Sequence, residues 1–152
     1  MKVEYINPFV RAATEVLERE LGRAVEQGTV YLHRSAYTSQ EVTVLIGVTG
    51  QVRGIVLYCL SQQTACAIAA AILGQEVPEF DELAQSGIAE IGNVITGTAS
   101  VYLAEAGFTS TITPPTLLVG QGTLVSTIDL PRLVIPILTE LGTIEIHVAL
   151  QG

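Results

Sequence analysis

A polar line with the spacing of one helix face lies in the middle of the chain. Ser86, Glu90, Asn93 and Gly97 follow an i, i+4, i+7, i+11 pattern, and residues 81–106 are predicted to form one long helix around them. A carboxylate and a carboxamide would then face outward about one turn apart, and the carboxamide can both donate and accept hydrogen bonds. Solvated helix faces often carry Glu and Asn, so the spacing alone leaves an ordinary surface open as an interpretation.

The rest of this helix is expected to position the polar line. An apolar stripe on the opposite side is predicted to face the core, and it consists of Ala84, Ile88, Ile91, Ile95, Ala99 and Tyr102. Val94 and Ser100 flank the polar line. Asn and Gly cost a helix up to about 1 kcal/mol relative to Ala. The mid-helix positions of Asn93 and Gly97 therefore favour a functional surface.

Other chemical classes have little support in the sequence. The GxSxG, HExxH and P-loop patterns are absent. His33 and His147 lie in strand patterns without a second histidine at ligand spacing, so no metal site is predicted. Cys59 and Cys66 lie in apolar surroundings and are predicted to be buried free thiols.

Composition restricts the class of partner. The 152 residues fit a single domain over 1–152, with 49% hydrophobic and only 14% charged residues. A net charge of −8 and seven Lys plus Arg argue against nucleic acid and against an anionic membrane surface as partners. No signal peptide or membrane-spanning run is visible, and reduced thiols suit the cytosol, so a cytoplasmic location is expected. The apolar composition also predicts self-association.

The chain is predicted to contain about three helices and six strands, in the order α, βββ, αα, βββ. Short turns imply antiparallel pairing, and helices on one face of that sheet give a two-layer α+β domain. The first helix is expected to begin with Asn7 as N-cap and Pro8 as its first residue and to end at Leu21. Pro136 indicates a strand edge or a bulge, and residues 123–130 are predicted to be a strand.

The polar line resembles the signature of the CheC/CheX/FliY chemotaxis phosphatases, D/S-xxx-E-xx-N followed by a proline, which here is Pro114 or Pro115. The segments INPFVRAATEVLERELG, RGIVLYCLS and VIPILTELGTIEIHVAL are similar to the CheX branch, so the resemblance covers nearly the whole chain. CheC carries two such motifs, whereas the first helix here has Glu15-xx-Glu18 and no asparagine in place. The absence of a C-terminal flagellar-switch domain disfavours FliY.

The resemblance implies a phosphatase that hydrolyses the aspartyl phosphate of a CheY-type receiver domain. Asn93 would position the attacking water, and Glu90 would pair with a receiver lysine. Ser86, Val94, Gly97 and Ser100 would contact the partner. The chain would need no cofactor of its own, because Mg²⁺ would belong to the receiver.

The resemblance also implies a homodimer, expected to form through sheet-edge strands. Two alternatives stay open at this point. A CheX-like module could bind a receiver domain or another signalling partner without hydrolysing anything. A structural oligomer would instead bury Glu90 and Asn93 in its own interface.

Overall fold

The structure is a computed structural model that describes residues 2–33, 37–38, 41–120, 124–125 and 131–152. Three helices lie in this part of the chain: α1 (Val3–Leu21), α2 (Gln62–Leu73) and α3 (Glu82–Glu105). The strands are β1 (Glu26–Gln27), β2 (Tyr31–His33), β3 (Tyr37–Thr38), β4 (Val42–Gly50), β5 (Arg53–Leu60), β6 (Ser110–Ile112), β7 (Thr116–Val119), β8 (Leu124–Val125), β9 (Arg132–Thr139) and β10 (Gly142–Gln151).

Eight of these strands form one antiparallel sheet in the order β1-β9-β10-β5-β4-β6. Strand β2 also pairs with β9, and β7 also pairs with β4. The main sheet therefore has more strands than the predicted six, because each of its edges consists of two short strands. Of the strand predicted over residues 123–130, only β8 lies within the described residues, and it pairs with β3 outside the main sheet.

Prolines explain why the two edges are interrupted. Proline has no N–H to give to a strand ladder. Opposite Pro136 in β9 the outer neighbour is divided into β1 and β2, and the N–H of Gly28 between them donates to the Pro136 carbonyl at 2.8 Å. Pro136 is predicted to mark a strand edge or a bulge. Strand β9 is not an edge strand, and the interruption lies in its outer neighbour, between β1 and β2. Pro114 and Pro115 separate β6 from β7 at the opposite edge.

All three described helices pack on the same face of the sheet. Alternate residues of a strand point to the same side, and on β4 and β10 one alternating set is buried against the helices: Val42, Val44, Ile46, Val48, Ile144, Ile146, Val148 and Leu150. Tyr5, Phe9, Leu17, Ile68 and Ile95 contribute the helical side of this core. The predicted two-layer α+β class is confirmed.

The predicted start of the first helix is wrong. Helix α1 begins at Val3, so Asn7 does not cap it and Pro8 lies in its interior. Tyr5 and Ile6 in the additional turn are buried, and the Tyr5 ring packs edge-on against Phe108 at 5.1 Å between centroids. This burial offsets the hydrogen bond that Pro8 cannot donate. The predicted end is confirmed, since Gly22 adopts φ 67° and donates to the Glu18 carbonyl at 2.9 Å.

Candidate functional site

Helix α3 is defined by a local cap and held down by close packing on the sheet. The Asp81 carboxylate caps the helix by accepting a hydrogen bond from the Ala84 N–H at 2.9 Å. The helix runs from Glu82 to Glu105, one residue inside the predicted range 81–106 at each end. Near its centre, an ideal Cβ on Gly92 would lie 3.0 Å from Val44 Cγ1 and 3.2 Å from Tyr58 Cδ2. Only glycine lets the α3 backbone approach the sheet this closely.

The buried side of α3 is turned relative to the predicted stripe. Ile91 and Tyr102 are only partly buried, whereas Gly92, Thr96 and Leu103 are buried together with Ala84, Ile88, Ile95 and Ala99. The hydroxyl groups of Thr96 and Tyr58 lie 2.7 Å apart in the core and join the helix to β5. With 100° per residue, this turn places Asn93 at the border of the buried face. The sequence prediction placed it on the opposite side.

The two proposed catalytic side chains differ in exposure. Glu90 is exposed, as is Ser86, while Asn93 is half-buried. Glu90 and Asn93 are separated by about 4.5 Å along the helix axis and about 60° around it. Neither side chain makes a hydrogen bond or ion pair with any residue in the described part of the chain. The carboxylate and the carboxamide are therefore both available to an external molecule.

The predicted partner-contact residues differ in their availability. Gly97 is half-buried, and an ideal Cβ on it would lie 4.0 Å from its nearest neighbour, Ile112 Cδ1. Val94 packs partly against the core. The Ser100 hydroxyl donates to the Gly97 carbonyl at 2.7 Å, so its hydrogen bond is made within the helix. Gly97 therefore leaves space for a partner's backbone. Val94 and Ser100 already make contacts within the protein, Val94 with the core and Ser100 with the helix backbone.

Two exposed aliphatic residues extend this face beyond the residues selected from the sequence. Leu83 is 52% exposed and Val101 is 56% exposed. They lie on the same line of the helix as Glu90, about 27 Å apart along its axis. The sequence contains a signal for this contact surface, because both residues are apolar at positions on the solvent-facing side of the predicted helix. Together they give the exposed side of α3 an apolar contact at each end.

The candidate family prolines lie between two strands that contact α3. Strands β6 and β7 both contact the helix, and Pro114 and Pro115 follow Thr113 in the segment between them. Thr113 holds this junction on β4, since its N–H donates to the Gly47 carbonyl at 2.9 Å and its hydroxyl accepts from the Gly47 N–H at 2.8 Å. Pro114 is exposed and Pro115 is half-buried.

The outward carboxylate of α1 is engaged within the molecule, in contrast to Glu90. Glu15 accepts a hydrogen bond from the Tyr102 hydroxyl, and the Arg11 Nε donates to it at 3.1 Å. The Tyr102 hydrogen bond is the main cause that lowers the pKa of Glu15. The Arg11 guanidinium also stacks over the Tyr102 ring at 3.8 Å. These contacts join α1 to α3 and occupy the Glu15 carboxylate.

The histidines and cysteines do not form a competing site within the described residues. His147 is buried in the sheet, and its Nδ1 accepts from Arg132 Nε at 3.2 Å. Burial lowers the pKa of His147 below its usual value. No three His, Cys, Asp or Glu side chains of the described residues are grouped to hold a metal ion. Cys59 is buried as predicted, whereas Cys66 is only partly buried.

None of the described helices combines the length and hydropathy needed to span a membrane.

Comparison with known proteins agrees with the helix pattern and the fold. A curated relative from Thermotoga maritima, named CheY-P phosphatase CheX, is 30% identical over 122 residues, which are 80% of this chain and 79% of the relative. The crystal structure of a chemotaxis protein CheX from Desulfovibrio desulfuricans superimposes with a TM-score of 0.87 at 27% identity, covering 98% of this chain and 100% of that one. A chain of the CheX–CheY–BeF3–Mg²⁺ complex from Borrelia burgdorferi gives a TM-score of 0.84 at 27% identity, covering 99% of this chain and 100% of that chain.

A sequence model of one family matches the chain directly. It is described as chemotaxis phosphatase CheX, and it matches residues 42–138, which include β4, β5, α2, all of α3 and most of β9. Together with the 30% identity to the Thermotoga relative over 80% of the chain, this match establishes the family. The chain belongs to the chemotaxis phosphatase CheX family.

Proposed function

We propose that this protein accelerates hydrolysis of the aspartyl phosphate of a CheY-type receiver domain. The observation that carries the proposal is the Glu90–Asn93 pair, which projects from a firmly anchored helix without an intramolecular partner among the described residues. The proposal agrees with the name of the Thermotoga relative and with the presence of CheY in the Borrelia complex. The substrate in this proposal is a phosphorylated aspartate in a CheY-like receiver domain.

Asn93 carries the chemical role in this proposal. An acyl phosphate hydrolyses spontaneously, so the phosphatase needs no nucleophile of its own and has to hold a water in line with the phosphorus. A carboxamide can accept a hydrogen bond from that water and donate another to the phosphoryl group. The amide is too weak a base to remove a proton, so its contribution is positioning. Its half-buried location restricts the motion of the side chain without removing the residue from solvent.

Glu90 carries the docking role. Its exposed carboxylate lies about one turn before Asn93 and is free to pair with a lysine near the receiver's phosphate. This ion pair would fix the register of α3 on the receiver and keep Asn93 opposite the phosphorus. Mg²⁺ would be held by the acidic pocket of the receiver, where it offsets the charge of the phosphoryl group. Ser86, Gly97 and the exposed Leu83 and Val101 supply further contact surface.

The decisive experiment compares phosphate loss from a phosphorylated receiver with and without the protein. We expect Asn93→Ala to reduce the acceleration at least about a hundredfold, since a misplaced reacting group has an effect of that size. Binding of the variant to a receiver trapped with BeF3 should be retained. Asn7→Ala is the matched control, because Asn7 is an exposed asparagine on α1, away from the proposed site. Wild-type protein that fails to accelerate dephosphorylation across the receivers of its own genome would contradict the proposal.

The same experiment separates the enzyme from a non-catalytic binding module. A module would bind the BeF3-trapped receiver through the same face of α3 without changing the rate of phosphate loss. Glu90→Ala should weaken binding in either case, because it removes the proposed ion pair. The two functions are therefore distinguished by the rate of phosphate loss. If the protein is an enzyme, Asn93→Ala should lower this rate and leave binding unchanged.

We further propose a homodimer formed through sheet-edge strands. Edge strands expose unpaired backbone groups that favour pairing with another chain. At one edge Tyr31 and Leu32 of β2 are 43% and 45% exposed, and at the other edge Val119 of β7 is 52% exposed. A contact through β2 would leave the exposed face of α3 free in both subunits, because α3 contacts β6 and β7 at the opposite edge. Sedimentation at micromolar concentration should show a dimer, and a purely monomeric species would contradict this proposal.

A further inference from the structure

A buried chain of hydrogen bonds runs from the sheet into α3 directly beneath the proposed site. The Thr96 hydroxyl donates to the Gly92 carbonyl at 2.7 Å. Because that bond uses the only proton of the Thr96 hydroxyl, the Tyr58 hydroxyl is the donor in the 2.7 Å contact between Tyr58 and Thr96. The chain therefore connects β5, through two hydroxyl groups, to the backbone carbonyl that immediately precedes Asn93.

From this geometry we infer that Tyr58 and Thr96 are positioning residues for Asn93. The inference rests on the proposed function and adds the residues that hold its central group in place. Tyr58 is 3% exposed and Thr96 is fully buried, so water does not compete for these hydrogen bonds. Neither residue reaches the surface of the exposed face, and both act through the α3 backbone.

The packing around this chain restricts rotation of the helix. Gly92 lies against Val44 and Tyr58 with no space for a side chain, so α3 cannot move closer to the sheet. The Tyr58–Thr96 hydrogen bond in turn resists lifting or rotating the helix away from that contact. Side-chain ends lie about 5–6 Å from a helix axis, so a rotation of about 10° would move the Asn93 carboxamide by about 1 Å. A displacement of that size can lower a rate by up to about a hundredfold.

The test is Tyr58→Phe, which removes one buried hydroxyl group and keeps the ring that packs against Gly92. We expect kcat for receiver dephosphorylation to fall about tenfold or more while KM and binding to the BeF3-trapped receiver stay unchanged. Thr96→Val should have a similar effect, and Thr96→Ser, which keeps the hydroxyl, should restore most of the activity. Tyr5→Phe is the matched control, because Tyr5 is also a buried tyrosine but lies on α1, where its ring packs against Phe108.

A second readout does not depend on turnover. The side-chain amide resonances of Asn93 in a ¹⁵N–¹H spectrum should shift or broaden in Tyr58→Phe and stay in place in Tyr5→Phe. Unchanged resonances together with wild-type kcat in Tyr58→Phe would overturn the inference and leave the proposed function intact. Wild-type protein without phosphatase activity would refute the proposed function, and the Asn93 resonances would still decide whether Tyr58 positions this side chain.

Discussion

The close approach of α3 to the sheet predicts that the same substitution has different effects at two glycines of that helix. Gly87 has no neighbouring atom within 4 Å of an ideal Cβ, whereas a Cβ on Gly92 would lie 3.0 Å from Val44 and 3.2 Å from Tyr58. Both glycines are in the helix interior, without positive φ. Gly87→Ala and Gly92→Ala therefore share the helix-propensity effect and differ only in packing.

The expected magnitudes follow from these contacts. Alanine is favoured over glycine within a helix by about 1 kcal/mol, so Gly87→Ala should stabilise the protein by about that amount. At Gly92 the new methyl group meets two buried side chains, and Tyr58 is also held by its hydrogen bond to Thr96. Overpacking of this kind costs about 1–3 kcal/mol, which gives a net destabilisation of up to about 2 kcal/mol.

Thermal and urea unfolding followed by circular dichroism measure this difference directly. For a chain of this length, about 1 kcal/mol corresponds to a Tm change of about 2–4 °C. Gly87→Ala should raise Tm by that amount, and Gly92→Ala should leave Tm unchanged or lower it by up to about 8 °C. All proteins should be compared at one protomer concentration, since a dimer has a concentration-dependent Tm. Equal stabilisation by both variants would refute the close packing of α3 on β4 and β5.

Two further predictions concern the reverse face of the sheet. The buried Thr43 hydroxyl has no hydrogen-bond partner among the residues that the structure describes. Thr43→Val should therefore raise the free energy of unfolding by about 1–2 kcal/mol in urea titrations, whereas Thr64→Val, which loses the 2.9 Å bond to Ser61, should lower it. Burial lowers the pKa of His147 in the folded state, so its contribution to stability is present above the unfolded pKa of about 6.5 and is lost as pH falls below it. Tm should drop between about pH 7.5 and 5.5, and a drop of the same size in His147→Gln would contradict this assignment.

The sequence predicts α3 well because its signals are local. Asp81 caps the helix through its own third neighbour, and the apolar periodicity extends over the whole element. The end of α1 at Leu21 is predicted for the same reason, because Gly22 directly follows it, and Ser61 caps α2 in the same local way through the N–H of Thr64. The start of α1 is missed because the burial of Tyr5 depends on Phe108, which is distant in sequence. Pro8 is a local signal too, but tertiary packing overrides it.

The orientation of α3 could not be read from its own residues. Gly92 has no side chain and Thr96 is polar, so a helical wheel assigns the larger apolar residues Ile91 and Tyr102 to the core in their place. The preference for Gly92 and Thr96 comes from Tyr58, whose ring needs the space that Gly92 leaves and whose hydroxyl needs Thr96. The register of β5 against β4 sets where that tyrosine lies, and register is a property of the assembled sheet. The sequence thus selects the candidate residues Glu90 and Asn93 but misplaces Asn93 relative to the core.

The partial burial of Asn93 matters because the proposed roles of Asn93 and Glu90 require different degrees of exposure. A group that positions a water must be held within a fraction of an ångström and must still reach the reacting atoms. A fully exposed asparagine would lose side-chain entropy each time it was ordered, and a fully buried one could not touch the phosphoryl group. Asn93, at the border of the buried face, meets both requirements. Glu90 forms an ion pair with a flexible lysine in the proposal, which tolerates variation in distance, so full exposure suits it. The difference in burial between these neighbours therefore favours catalysis by Asn93 and docking by Glu90, and not the reverse.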